Sequence, residues 1–171
     1  AYDGLAVQGM DGKQHFPVAE SHGKPLALLF VNHDCPICNA YAPEIARIAA
    51  SYGKRVAFQL VYSEPDVDSK IVRRHESEYS LTKLTAWLDP SRKFAWATGA
   101  RVVPEAALFD AQGHRVWLGR IDDQYPSISA HRQSASVHDL RNALADLSIG
   151  KKPRQAAGKP AGCFILSPDN P

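Results

Sequence analysis

Apolar positions fall in two rhythms along the chain, unbroken runs of strand length and recurrences at three and four residues, and the two alternate. Pro25 to Val31 ("PLALLFV") has no polar interruption, as in a strand covered on both faces. From Pro36 to about Ser51, Ile37, Tyr41, Ile45 and Ile48 recur at helical spacing. Arg55 to Ser63 ("RVAFQLVYS") is a second buried-type strand, and Asp66 is placed to cap a helix reaching Tyr79. Downstream, "TAWLD" predicts a short strand and Ser91 to Thr98 a short helix. "EAALFD" and "RVWLGRI" are two strands whose short "AQGH" turn implies antiparallel pairing, and Val137 to Ile149 has the spacing of a last amphipathic helix. Ahead of all of these, Asp11-Gly12 within "MDGKQHF" predicts a turn that closes a small N-terminal ribbon.

Alternation of this kind predicts an α/β domain with a central mixed sheet flanked by helices. A chain of 171 residues suits one such domain, assigned to residues 1–150. After Gly150 the periodicity gives way to Pro, Gly and Lys, so residues 151–171 read as an irregular C-terminal tail. Within it "GCFIL" is apolar enough to dock on the domain, with Phe164, Ile165 and Leu166 as its anchors. The longest apolar run is far too short to cross a bilayer, so no membrane span is expected. No leader precedes it, and the abrupt start "AYDGL" is compatible with the removal of one. A formal charge of +2 offers no field for gripping nucleic acid, which is therefore not expected as a partner.

The chemistry lies in "FVNHDCPICNAYAPEI", where Cys35 and Cys38 stand at the strand-to-helix junction. A cysteine at a helix start meets unpaired N–H groups and the positive end of the helix dipole, which favour thiolate over thiol. Cys35 is thus the expected nucleophile. Cys38, one turn further in, is the expected resolving thiol that closes a small disulfide after Cys35 has attacked. Asp34 beside Cys35 is a candidate modulator, since its negative charge opposes thiolate formation. Cys163 is left over as an odd thiol. Two other readings use the same residues. The pair is half a zinc site that His33 and Cys163 would complete as a Cys3His set, although its place at a helix start is not the usual knuckle. A structural staple is the other, and so short a loop constrains an unfolded chain little. In "GRIDDQY", Arg120, Asp122 and Asp123 read as a solvated turn with an Arg–Asp contact rather than an acid/base pair.

The combination of Cys35-x-x-Cys38, Pro43 five residues further on, and "VVPEAALFD" resembles the thioredoxin-like proteins. With "GRIDDQY" and the tail "GC", the chain is similar in particular to the redoxin branch, which joins the alkyl hydroperoxide reductase / thiol-specific antioxidant group to extracytoplasmic thiol-disulfide oxidoreductases. The resemblance implies a thioredoxin-like fold in which Pro104 is the cis-proline facing the disulfide, preceded by Val103, and the two shape a groove for an extended peptide. It implies dithiol-disulfide exchange with protein thiols or disulfides and with an upstream redox partner, an antioxidant or redox-homeostasis role, and an extracytoplasmic (periplasmic or secreted) location. No cofactor and no metal are expected. A copper or zinc carrier remains an alternative, as does a thiol-dependent peroxidase. The latter is disfavoured because Asn32 and Leu28 stand where peroxidases of this group carry Thr or Ser and Pro. Relatives with the same tail sometimes lack the second cysteine, which makes Cys163 a candidate additional redox thiol, and an inert, apolar-packed cysteine is the other reading. Either way it is expected near the pair, on the face that includes Pro104.

Overall fold

The computed structural model describes residues 1–170. The chain opens with β1 (Val7–Gly9) and β2 (Gln14–His15), an antiparallel ribbon turned at Gly12, followed by a single helical turn, α1 (Pro17–Glu20). β3 (Leu26–Val31) then runs through the middle of the molecule with every side chain buried, as its unbroken apolar sequence requires. α2 (Pro36–Tyr52) begins with proline in its first turn, where a missing N–H costs nothing, and buries Ile37, Cys38, Tyr41, Ile45 and Ile48 along one stripe. Pro43 sits inside this helix and removes one main-chain bond from it.

β4 (Ala57–Tyr62) pairs parallel with β3, and α3 (Ser69–Glu78) returns the chain to β5 (Thr85–Leu88), which pairs parallel with β4. The cap of α3 is Asp68, whose carboxylate accepts from the Ile71 N–H at 2.8 Å. The expected Asp66 lies two residues earlier in a left-handed turn at φ 63°. α4 (Lys93–Thr98) leads through β6 (Val102–Val103) to β7 (Glu105–Phe109) and β8 (Arg115–Gly119). β7 is antiparallel to both β3 and β8, so the sheet is mixed, with order β2-β1-β5-β4-β3-β7-β8. α5 (Asp139–Ser148) packs beside α2, where Arg141 Nε bonds Glu44 at 2.7 Å.

The tail crosses the domain in an extended form. Arg154 pairs with Asp146, the Trp117 indole donates to the Arg154 carbonyl at 3.0 Å, and the Ala157 N–H is held by Asp139 at 2.6 Å. Asp139 also takes Arg120, at 2.7 Å, so the Arg–Asp contact expected within residues 120–123 forms instead with α5. Asp122 accepts from the Tyr41 hydroxyl, and Asp123 accepts from the Ser136 and Val137 N–H groups. The tail ends in a two-residue strand, β9 (Cys163–Phe164), antiparallel to β6.

Candidate active site

The parallel strands β3, β4 and β5 end on the same side of the sheet, where an open α/β sheet gathers its loops. Cys35 is the residue that caps α2, with extended backbone and no side-chain capping bond, so its sulfur is left free for other partners. It is 1% exposed. The loop ahead of it is tied from below by Glu64, whose carboxylate accepts from the His33 N–H at 3.2 Å and from His33 Nδ1 at 2.8 Å, and by Asn39, which donates to the His33 carbonyl at 3.1 Å. Behind Asn39 lies a buried chain in which its Oδ1 meets His75 Nε2 at 2.7 Å and His75 Nδ1 meets the Tyr62 hydroxyl at 2.8 Å. Burial holds the His75 imidazole below its usual value and pushes the Glu64 carboxyl up against the opposing bonds from His33.

Across from Cys35 stands a second loop. The Val103–Pro104 peptide bond is cis, and the Val103 carbonyl faces the Cys35 sulfur at 3.7 Å. Glu105, also buried, folds its carboxylate back onto the Arg101 N–H (2.9 Å) and the Val102 N–H (3.3 Å), which fixes this loop against the cysteine. Val103 is in register with Cys163 of β9, and the Cys163 sulfur lies 2.7 Å from that of Cys35. Cys35 therefore stands between two thiols, one from its own helix and one from the tail.

The three sulfurs differ in acidity. Cys35 is drawn down to about 5, first by the hydrogen bond that the Cys38 thiol donates to it, then, against the opposing effect of burial, by a second bond from Cys163. Cys38 moves the other way, well above the ordinary thiol value, because it is deeply buried and its proton is shared with a neighbouring thiolate. Cys163 is pushed up to about 12 by burial and by the same donation to Cys35, with the Asp34 charge adding a little. Asp34 itself is exposed. At neutral pH the cluster thus holds one thiolate and two protonated donors, an arrangement suited to nucleophilic attack at a single sulfur.

The structure brings Cys35, Cys38, Val103, Pro104 and Cys163 to one place. His33 is turned to Glu64 instead. Among the described residues, the one set of three His, Cys, Asp or Glu donors within reach of a common ion is His33, Asp34 and Glu64, which contains no sulfur. The Cys3His arrangement is not assembled. Glu64, Glu105, Asn39 and His75 were invisible to motif reading. Glu64 alone had a signal, its place just past the end of a parallel strand.

No protein-family model and no curated protein matches the chain. Solved structures do. A hypothetical protein from Sinorhizobium meliloti is 22% identical, with a TM-score of 0.77 over 95% of this chain and 90% of that one. An uncharacterized conserved protein from Geobacillus kaustophilus is also 22% identical, with a TM-score of 0.76 over 94% and 87%. A secreted disulfide oxidoreductase from Mycobacterium tuberculosis, homologous to E. coli DsbE, is 19% identical with a TM-score of 0.57 over 85% and 94%. The chain has the thioredoxin-like fold.

Proposed function

We propose that this protein is a thiol-disulfide oxidoreductase that exchanges the Cys35–Cys38 dithiol with the thiols or disulfides of protein partners. The observation that carries this reading is the placement of the pair, with Cys35 capping the start of α2 opposite the cis Val103–Pro104 loop and Cys38 buried one turn further in, and the lowered Cys35 and raised Cys38 thiols accord with it. In the reduced chain the Cys35 thiolate attacks one sulfur of a partner disulfide, and the first partner thiolate leaves. Cys38 then gives up its proton and attacks Cys35, which expels the second partner thiolate. Two electrons pass to the partner and a Cys35–Cys38 disulfide remains. The reverse sequence oxidises a partner dithiol. A stabilised thiolate favours the reduced form of the couple, which inclines the protein toward the oxidising direction. Val103 and Pro104 present the backbone edge against which an extended partner segment pairs.

An extracytoplasmic location belongs to the same proposal. It is supported by the secreted oxidoreductase that shares the fold, and no helix among the described residues is long and apolar enough to cross a membrane. The test of the activity is insulin disulfide reduction with dithiothreitol as the reductant that regenerates the dithiol chain. Turnover above the uncatalysed rate that falls to background in Cys35→Ser is expected, and a Cys35→Ser variant with unchanged turnover refutes the assignment.

A further inference from the structure

The partner edge beside Pro104 is already taken. β9 lies antiparallel on β6 with Cys163 opposite Val103 and Phe164 opposite Val102. The Ile165 N–H bonds the Arg101 carbonyl at 2.9 Å, and its own carbonyl accepts from the Trp96 indole at 3.1 Å. Ile165 is 3% exposed, while Phe164 is 76% exposed and points outward, so one side chain rather than three anchors the strand. Gly162 makes the close approach feasible, because a Cβ there would run into the Val103 carbonyl.

We propose that residues 162–165 act as a tethered stand-in for the partner strand, and that Cys163 is a third redox centre which exchanges with Cys35. This rests on the oxidoreductase reading above. In the oxidised chain, Cys163 as thiolate attacks Cys35 of the Cys35–Cys38 disulfide, Cys38 leaves as thiolate and takes a proton, and a Cys35–Cys163 disulfide results. The two disulfides are isomers, so no external oxidant or reductant is consumed in passing between them. In the Cys35–Cys163 isomer the groove is shut by a covalent bond. In the Cys35–Cys38 isomer the strand is held non-covalently, by its short ladder, the Trp96 indole and the Ile165 side chain, and a partner displaces it.

Two measurements on the full chain test this. Gly162→Val pushes the strand off Val103 without altering a cysteine. The readout is the rate of insulin reduction divided by the rate with 2-hydroxyethyl disulfide, a small substrate, so that any common change in thiolate reactivity cancels. That ratio is expected to rise about tenfold or more, and an unchanged ratio overturns the stand-in role. If neither wild type nor variant reduces insulin while both reduce the small disulfide, the protein-partner reading fails instead, and the second measurement still decides the fate of Cys163. Cys38→Ser is oxidised with 2-hydroxyethyl disulfide and its bridges are mapped by mass spectrometry. A Cys35–Cys163 bridge is expected. A hydroxyethyl adduct that persists on Cys35 with Cys163 free, or dimers between chains alone, overturns the exchange.

Discussion

Cys38→Ala isolates the origin of the Cys35 acidity. In the reduced protein the Cys35 thiol stands at about 5 instead of the ordinary 9.0. That difference amounts to a ~10⁴-fold preference for thiolate, or about 5 kcal/mol. The Cys38 thiol is the larger of the two sulfur donors, with Cys163 second and burial opposing both. Deleting the larger donor raises the titration midpoint, and a loss of about half of the preference corresponds to a rise of about two pH units. At pH 6 the wild-type sulfur is about nine-tenths thiolate and the variant sulfur about one-tenth. The pH dependence of iodoacetamide alkylation at Cys35, followed beside thiolate absorbance at 240 nm, reads the midpoint directly. Cys163 stays protonated across that range and does not interfere. A midpoint that remains near 5 refutes the reasoning, because it would assign the acidity to the helix terminus and not to the neighbouring thiols.

Two further outcomes follow from the same geometry. A thiol lowered in the folded state contributes stability that is complete above its ordinary value of 9.0 and is lost as pH falls through about 5. The stability difference between reduced wild type and Cys35→Ala, from urea unfolding, should therefore grow from pH 5 to pH 8.5, and a flat difference contradicts the lowered value. Asp89 is buried and accepts from the Phe94 and Ala95 N–H groups at 3.2 and 2.9 Å, with Ser63 and Ser91 hydroxyls alongside. Asp89→Ala should cost about 2–3 kcal/mol by leaving the start of α4 unsatisfied, with Asp89→Asn recovering part of it, and a loss below about 1 kcal/mol in urea unfolding counts against that role.

The sequence announced whatever depends on local pattern. Leu26 to Val31 and the isoleucine stripe of α2 are legible because each residue's burial follows from its own period. The cysteine pair is legible because its chemistry needs those residue types at that spacing, and Pro104, cis in the structure, was legible only through the resemblance of "VVPEAALFD" to thioredoxin-like proteins. What escaped depends on partners far away in the chain. The capping residue of α3 fell to Asp68 instead of Asp66, since two acids near one helix start look alike until the backbone turns. Arg120 found Asp139 on α5 rather than its sequence neighbours. β6 and β9 are two residues each and have no period to detect, although "GCFIL" did mark the segment as one that docks. Of its three apolar side chains only Ile165 turned inward, because a strand laid along an edge shows alternate residues to solvent.

The short leash between Ala157 and Cys163 gives the seated strand an advantage that its few bonds do not reveal. Ala157 is pinned by Asp139, and Cys163 lies six residues later. A flexible segment of that length has an end-to-end reach of about 13 Å. Short leashes of this kind present their cargo at an effective concentration in the millimolar range. A free peptide at micromolar concentration, even one that fits the groove equally well, thus leaves the strand in place most of the time. The groove selects for partners that first bind elsewhere on the surface and so bring their own strand to a comparable local concentration.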